Sequence, residues 1–385
     1  MHSWQRKIEF IWANLFFVFF IAQILSPSIG DKTIYLEWCI ALLNPFFWIW
    51  IVNKKMSWNF LAIIACLGCV AAIHPITAIK LIMNFFGICY LGYLYGNNLF
   101  FINIYLCVSI VVGIMQFIFL SLGNIEALNM ITPTSIAETV WGSYATPTFT
   151  NFYDIGIGIP RFSGLSREAG FFAALIQTGI LFNYLSSNRE GKVYLNKYKV
   201  IHFIGYIISF SKISLAIFLA FFINKIRRYI NYLPSVLMIA ILLITASYWG
   251  MSHASFLLED ENVTFLDRFG AYAAFFDLNL SQFFLGVDLN RIESFVADAE
   301  LYSTPNLWFA GFAGWIIYNG VIVLGLWCLI LYLMGITTSG ILMLIILTLN
   351  VQPDTNQNFV VLAYFIVWKY YQSVDCQPKC NTFEK

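Results

Sequence analysis

The sequence predicts an all-α protein built as a bundle of transmembrane helices. Of its 385 residues, 60% are hydrophobic and only 11% are charged, and the mean hydropathy is +0.76. Apolar runs of roughly 18 or more residues recur along the chain, and a soluble protein of this length could not cover so much apolar surface. We therefore predict a polytopic membrane protein of about 12 spans whose environment is a lipid bilayer.

The predicted helices are separated by polar or basic residues, and the whole chain, residues 1–385, is predicted to form a single integral membrane domain. Arg6 and Lys7 precede the first apolar run as they would in a signal peptide, but no small-residue cleavage site follows, so we expect a retained helix. The approximate spans are 8–26, 35–52, 59–76, 79–96, 98–122, 168–187, 199–210, 213–224, 232–250, 308–334, 338–351 and 358–372.

The orientation follows from the short basic connections, which favour the cytoplasm. These connections are Lys54-Lys55, the segment from Arg189 to Lys199, and the run from Lys225 to Arg228. The apolar residues between the last two must cross the membrane twice or not at all, and the polar break at Ser209–Lys212 predicts two short helices meeting near the outer surface. This pair is either re-entrant or shielded by neighbouring helices. Both termini are then cytoplasmic, and two large loops, 123–167 and 251–307, face outward.

Several functional classes receive no support from the sequence. A net charge of +1 gives no basic field for nucleic acid, and neither a Walker A loop nor a G-x-G-x-x-G motif is present. The eight cysteines avoid both outer loops, and Cys66 and Cys69 lie in an apolar helix where packing is the simpler interpretation. We predict no cofactor and no metal.

The first outer loop ends in an unusual cluster of charge. Its earlier residues, 123–155, are typical of a solvated connector, but Arg161, Arg167 and Glu168 lie within eight residues, directly before an apolar run. Ser166 is a candidate cap for the helix that follows, and Glu168 could then simply interact with the helix dipole. That interpretation leaves the arginines unexplained, because arginine at a membrane boundary must snorkel, pair or bind an anion. Two guanidinium groups beside a carboxylate suit a diphosphate leaving group and a proton acceptor.

The second outer loop carries an apolar stripe at helical spacing, with Arg268 on its border. The stripe predicts either a helix lying in the outer interface or plain packing against membrane helices. The acidic run Glu259-Asp260-Glu261 is either a solvated loop or a divalent-metal site. His253 is a lone loop histidine, and Asn306 could orient a sugar hydroxyl or cap the next helix. The stripe consists of Phe265, Phe269, Tyr272 and Phe276.

Taken in order, these segments resemble the O-antigen polymerase family (Wzy-type). The segment Arg161–Glu168, followed by Ala169 and Ala173, is similar to the family pattern R-x-S-G-L-x-x-E-P-x-x-x-A. The break at Ser211-Lys212, the Arg268 helix with Phe284-Leu285-Gly286-Val287, and Pro305-Asn306 before a Gly-rich helix also match in order. The Gly-rich helix contains Gly311, Gly314 and Gly320.

The resemblance implies a GT-C-like glycosyltransferase at the periplasmic face of the bacterial inner membrane, with short interfacial helices in its two loops. It would polymerise undecaprenyl-diphosphate-linked oligosaccharide repeat units without metal, and a chain-length regulator would be a further partner. Arg161, Arg268 and Arg167 would bind the diphosphates, Glu168 would be the general base or orient the acceptor, and Lys212 would add charge at the site. Arg291 and Asn306 are further substrate-binding candidates.

The chain departs from the family pattern at two places. Ala169 replaces the usual proline, and no histidine precedes Asn306, which disfavours an imidazole base and a ligase. The alternatives are an O-antigen ligase that transfers glycan to the lipid A core, and a flippase or other transporter of lipid-linked oligosaccharides. A transporter should place ionisable residues along a path near mid-membrane, whereas these arginines lie at one surface.

Overall fold

The computed structural model describes residues 3–30, 32–54, 57–95, 100–145, 161–190, 195–209, 211, 216–253, 270–287, 309, 311–349 and 351–372. The described chain is helical apart from one short antiparallel hairpin, in which β1 (Ser28–Ile29) pairs with β2 (Lys32–Thr33). The helices are α1 (Ser3–Ile21), α2 (Leu36–Leu43), α3 (Pro45–Val52), α4 (Trp58–Ile73), α5 (Pro75–Leu94), α6 (Phe100–Ser121), α7 (Ile125–Met130), α8 (Pro133–Trp141), α9 (Ala169–Glu190), α10 (Leu195–Ile208), α11 (Ala216–Ile230), α12 (Ser235–Ser252), α13 (Leu280–Leu285), α14 (Gly311–Leu333), α15 (Thr338–Leu347) and α16 (Asn358–Tyr370).

Within the described residues, five helices are long and apolar enough to cross a membrane. They are α5, α6, residues Ala169–Ser187 of α9, α12 and α14, and four shorter apolar helices accompany them. The prediction of an all-α membrane protein is therefore confirmed. The finer count of 12 spans stays a prediction.

The described chain divides into two compact units. The first comprises residues 1–55 and 86–217, and the second comprises residues 56–85 and 218–385. In the first unit, α6 packs against α1, α9 and α10; in the second, α14 packs against α4, α12, α13 and α15.

Helix boundaries agree closely with the predicted spans, with one clear error in the second span. Instead of one helix over 35–52, the chain forms α2 and α3 with a break at Asn44. Pro45 disfavours helical geometry at the residue before it, and the Asn44 side chain accepts hydrogen bonds from the Phe46 and Phe47 N–H groups, which starts a new helix.

The segment predicted to be the first outer loop forms two short helices where an irregular, solvated connector was expected, so that prediction was wrong for residues 125–144. Asn124 and Thr132 cap α7 and α8, and a 3₁₀ turn follows at Gly142–Tyr144. The Trp141 indole N–H donates to the Leu25 carbonyl at 2.8 Å, which ties this loop to the hairpin region.

The prediction of two helices around the polar break after Ser209 is confirmed, since α10 and α11 flank it. Lys212 itself lies outside the described residues.

In the second unit, the turn at Phe284–Val287 fits into a break in α14 at Gly320. Gly320 has φ 75° and ψ 170°, and the Val287 N–H donates to the Ile317 carbonyl at 2.8 Å. A Cβ added at Gly320 would lie 2.3 Å from the Phe284 carbonyl oxygen, and one added at Gly286 would lie 2.3 Å from that of Tyr318. The two segments can approach this closely only because both residues are glycine.

Candidate functional site

The charged segment at 161–168 lies against α6, which holds its backbone by side-chain hydrogen bonds. The Gly164 N–H donates to Gln116 Oε1 at 3.1 Å, and Gln116 Nε2 donates to the Gly164 carbonyl at 3.2 Å. The Leu165 N–H donates to Ser109 Oγ at 3.0 Å. Buried polar side chains are nearly always hydrogen-bonded, and here Gln116 and Ser109 use their polar atoms to hold the backbone of the segment against α6.

Gly164 allows the segment to lie this close to α6. Its φ of +53° is strained for any residue with a side chain, and an added Cβ would lie 2.5 Å from the Ser109 carbonyl oxygen and 2.8 Å from the Phe172 ring. The glycine therefore serves both the turn and the close approach of two backbones.

Apolar packing and one further hydrogen bond also hold the segment 161–168 against α6. Phe162 is fully buried and packs edge-on against Phe117 of α6, with ring centroids 5.5 Å apart. Gln116 Nε2 also donates to the Ile131 carbonyl at 2.9 Å, which joins the segment to the turn between α7 and α8. These anchors fix the backbone, while Arg161, Arg167 and Glu168 remain half-buried.

The segment 161–168 contacts α6 well inside the helix and not at its C-terminal end. Ser109 is roughly 18 Å along the helix axis from Ser121, the last residue of α6. From this level α9 runs antiparallel to α6, with Phe172 against Gly113 and a reciprocal pair of amide hydrogen bonds, 2.9 and 2.6 Å, between Asn103 and Asn183. The charged segment is thus held against membrane-spanning helices rather than projecting from them.

Glu168 is the last residue before α9, not a residue of its first turn. The helix begins at Ala169, and the Glu168 carbonyl accepts the Phe172 N–H at 3.0 Å. The expectation that Ser166 caps the helix is wrong, because the helix begins three residues later, at Ala169. Ser166 instead closes a tight turn by donating its N–H to the Ser163 carbonyl at 2.9 Å. Glu168 Oε1 lies 3.7 Å from the position of a Cβ at Gly170, so the carboxylate lies over the first turn, where the helix dipole favours negative charge.

Arg167 interacts with Tyr35, a residue that sequence reasoning missed. Burial raises the pKa of the Tyr35 phenol, while the nearby Arg167 guanidinium lowers this pKa through its charge and a hydrogen bond, and the Glu37 carboxylate raises it. Glu37 is fully buried, and Ser26 Oγ donates to its Oε2 at 3.5 Å. The sequence did contain a signal for this contact: Glu37 is the only acidic residue in the apolar run 36–43, and an acidic residue in a membrane helix usually marks a polar contact.

The remaining predicted site residues cannot be placed beside this cluster. Lys212, Arg268, Arg291 and Asn306 lie outside the described residues, as does the acidic run 259–261. His253 is exposed at the end of α12, where its ring stacks on Trp249 with centroids 5.0 Å apart. The structure therefore places Arg167 near Tyr35, whose phenol is also close to the Glu37 carboxylate, and Arg161 and Glu168 lie on the same anchored segment before α9.

A second polar locus, also missed by sequence reasoning, lies in the second unit. Lys80 Nζ of α5 is 3.6 Å from Asp354 Oδ2, in the connection between α15 and α16; Asp354 is 1% exposed. Burial raises the pKa of Asp354, and the Lys80 charge opposes that rise. The Trp315 indole faces the carboxylate and also lowers its pKa, although the two groups stop short of a formed hydrogen bond.

Over the part of the chain that the structure describes, no group of three or more His, Cys, Asp or Glu side chains could hold a metal ion. Comparison of the chain with protein-family models, with curated proteins and with solved structures found no match.

Proposed function

We propose that this protein is a glycosyltransferase that polymerises undecaprenyl-diphosphate-linked O-antigen repeat units at the periplasmic face of the bacterial inner membrane. In this proposal the chain has 12 spans in a GT-C-like bundle, with both termini in the cytoplasm. Its donor is a glycan on a lipid diphosphate, its acceptor is a single lipid-linked repeat unit, and a chain-length regulator is a further partner.

The observation that carries the proposal is the cluster at the start of α9. Two guanidinium groups and one carboxylate lie within eight residues, on a backbone segment fixed by Gln116 and Ser109. A diphosphate needs forked cationic donors, and a sugar hydroxyl that becomes a nucleophile needs a proton acceptor. A rigid segment at membrane level can present both groups to a substrate whose lipid stays in the bilayer.

The reaction requires one bond to form and one to break. An acceptor hydroxyl oxygen attacks the anomeric carbon of the donor sugar, and the bond from that carbon to the diphosphate oxygen breaks, so the electron pair leaves with the diphosphate. Glu168 takes the hydroxyl proton. Arg161 and Arg167 stabilise the charge that develops on the leaving diphosphate, an interaction that typically contributes several kcal/mol to lowering a barrier.

The four predicted residues outside the described part of the chain keep their proposed roles. Arg268 is assigned to the diphosphate, Lys212 to additional positive charge, and Arg291 and Asn306 to substrate binding. These assignments follow from the resemblance of the sequence to the polymerase family.

The test is to delete the gene and measure the length of the glycan on the lipopolysaccharide of the resulting strain. Loss of a polymerase leaves a single repeat on the lipid core, loss of a ligase leaves the core bare, and loss of a transporter stops export of the glycan. We expect single repeats in the deletion strain and in strains carrying Arg161→Ala, Arg167→Ala or Glu168→Ala. Normal long chains from these variants, at normal protein level, would remove the site. A bare core in the deletion strain would exclude a polymerase; long lipid-linked glycan accumulating at the periplasmic face would then indicate a ligase, and repeat units retained at the cytoplasmic face would indicate a transporter.

A further inference from the structure

The connection between α15 and α16, residues 348–357, is unusually polar for a segment that packs into a membrane bundle. It contains a turn in which the Thr355 N–H donates to the Gln352 carbonyl at 3.0 Å, with Pro353 and Asp354 at its centre. The Pro353 carbonyl accepts from Tyr364 Oη at 2.9 Å and from Asn84 Nδ2 at 3.5 Å. The turn is therefore held from two directions, by α16 and by α5.

This turn carries an excess of hydrogen-bond acceptors. Within the described residues, Asp354 Oδ1, Asn84 Oδ1, Asn356 Oδ1 and Gln357 Oε1 are buried atoms without a hydrogen-bond partner. Asp354 and Asn84 are each 1% exposed. Nearly all buried polar atoms in proteins are satisfied, so several such acceptors in one turn and the helix beside it indicate a partner that brings donors.

The charges at the locus decide which kind of ligand fits. A metal cation would suit four oxygens, but the Lys80 ammonium lies 3.6 Å from Asp354 Oδ2 and would repel it. A phosphate or carboxylate would meet acceptor oxygens where it needs donors. A neutral molecule with several hydroxyl groups satisfies the acceptors, and its oxygens can accept from the Trp315 indole N–H, which is also buried without a partner in the described structure.

The locus also has an accessible edge. Gln352, Asn356 and Gln357 are half-buried, and the Lys80 side chain is 37% exposed, whereas Asp354 and Trp315 lie beneath them. Amide side chains both donate and accept, as hydroxyl groups do. Because the four acceptor oxygens have almost no exposed surface, a ligand at this edge reaches them only when the half-buried amide side chains move aside.

We propose that the Gln352–Gln357 turn, together with Lys80, Asn84 and Trp315, is a carbohydrate-binding subsite for an uncharged, hydroxyl-rich sugar. The identification of that sugar as part of a lipid-linked repeat unit rests on the proposed function. The choice of an uncharged, hydroxyl-rich ligand follows only from the buried acceptor oxygens that have no hydrogen-bond partner and from the charges beside them.

The test is binding of the free repeat-unit oligosaccharide, released from the lipid intermediates of the same cells, to the full-length protein. The protein is held in a phosphocholine detergent, because a sugar-headed detergent would compete. Saturation-transfer NMR detects the bound sugar, and a titration gives its dissociation constant. We expect the wild-type protein to transfer saturation to the oligosaccharide, and neither inorganic pyrophosphate nor sodium chloride to displace it.

Matched variants locate the subsite. Asn84→Leu removes the acceptor oxygen while keeping the side-chain shape, and Asn356→Leu does the same in the half-buried turn. Asn59→Leu is the control, because Asn59 lies in the same unit and its amide also donates to a backbone carbonyl, that of Leu333, at 3.2 Å. We expect about tenfold weaker binding for the first two variants and wild-type binding for the third.

Three results would overturn the subsite. The first is no saturation transfer in the wild-type protein, which would mean that only water meets the acceptors. The others are displacement of the sugar by pyrophosphate or sodium, and unchanged binding by both leucine variants. If Asn84→Leu does not fold, as judged by thermal unfolding, Asn356→Leu decides. If the protein binds the oligosaccharide but does not elongate glycan, the subsite stands and the proposed function is wrong. If it elongates glycan but does not bind the oligosaccharide, the proposed function stands and the subsite is wrong.

Discussion

Tyr35 shows how a single residue can fix the direction of a charged group. Its phenol lies close enough to Arg167 for the guanidinium to lower the pKa of the phenol, and the buried Glu37 carboxylate lies close enough to raise that pKa. A guanidinium that must meet a diphosphate in one orientation gains from such a partner, because fewer side-chain conformations are lost on binding.

Replacement of Tyr35 by phenylalanine tests this positioning role. A guanidinium that loses its orienting partner stabilises the leaving diphosphate less well, so Tyr35→Phe should lower kcat/KM for the lipid-linked donor about tenfold, mainly through kcat. The control is Tyr144→Phe, at an exposed tyrosine in the 3₁₀ turn Gly142–Tyr144, which should behave as wild type. Equal kcat/KM values for the two variants would contradict the role of Tyr35.

Asp354 makes the stability of the fold depend on pH. Burial raises its pKa above the ordinary 3.8, and the Lys80 charge opposes the rise. Just above pH 3.8 the folded protein therefore keeps a proton that the unfolded chain has released, so the free energy of unfolding decreases as pH rises through the raised pKa. This pH dependence is opposite in sign to that of an exposed, ion-paired aspartate, whose lowered pKa makes the free energy of unfolding increase as pH rises.

Thermal unfolding of the Asp354→Asn variant across pH 3.5–7 measures this contribution. The asparagine cannot titrate, so the decrease in stability attributable to residue 354 should disappear, and the difference between variant and wild type should change in favour of the variant as pH rises. Glu138→Gln, on the exposed face of α8, is the comparison variant, because it removes a carboxyl group that lies outside the buried turn. A constant difference between Asp354→Asn and wild type at all pH values would contradict the raised pKa.

Sequence analysis identified Arg161, Arg167 and Glu168 because they lie within eight residues of one another. It did not single out Tyr35, Lys80 or Asp354, since the partners of these residues lie far away along the chain and no local pattern marks the pairing. The importance of Lys80 and Asp354 emerges only when α5 and the turn after α15 are brought together.

Among the structural elements, α6 acts as the support for the charged segment. Gln116 and Ser109 bind the backbone of residues 164 and 165, so the position of the charged groups depends on how closely two backbones approach. The close approach depends in turn on Gly164.

Gly164→Ala should therefore destabilise the protein by about 2–5 kcal/mol, which combines the strain of a positive φ with overpacking. Gly142→Ala is a matched control, since Gly142 also has a positive φ, of 56°, but nothing lies within 4 Å of an added Cβ; this change should cost about 1–2 kcal/mol. The free energy of unfolding in detergent, with glycan elongation as a second measurement, separates the two. Similar losses for both variants would show that Gly164 is not closely packed.

A second pair of glycines tests the break in α14. Gly320→Ala would place a Cβ 2.3 Å from the Phe284 carbonyl oxygen and 2.5 Å from the Gly286 nitrogen, so we expect a loss of about 2–5 kcal/mol. Gly325→Ala in the same helix meets nothing within 4 Å and should stabilise the protein by about 0.5–1 kcal/mol. If Gly320→Ala were as stable as wild type, the Phe284–Val287 turn could not lie in the break.

Helix positions could be predicted from the sequence because long apolar runs leave few other structures in a membrane. The break at Asn44 was missed although Pro45 marks it, since an apolar run of suitable length outweighed the local signal. The helices α7 and α8 were missed because their short, polar sequences resemble those of ordinary loops. Their caps, Asn124 and Thr132, become informative only once the helices are known.

At the scale of the whole molecule, the described helices establish a membrane protein with two compact units. The first unit contains the arginine and glutamate cluster, and the second contains the proposed carbohydrate subsite. Twelve spans, cytoplasmic termini and outward-facing loops stay predictions from the distribution of lysine and arginine.

The central claim is that Glu168 accepts a proton during glycosyl transfer, and purified protein tests it most directly. Wild type and Glu168→Gln are incubated in detergent with lipid-linked repeat units, and the length of the lipid-linked glycan is measured over time. We predict that the wild-type protein lengthens the glycan and that Glu168→Gln does so about 10²–10⁴-fold more slowly at unchanged stability. Equal rates for the two proteins, or no lengthening by either, would contradict the account.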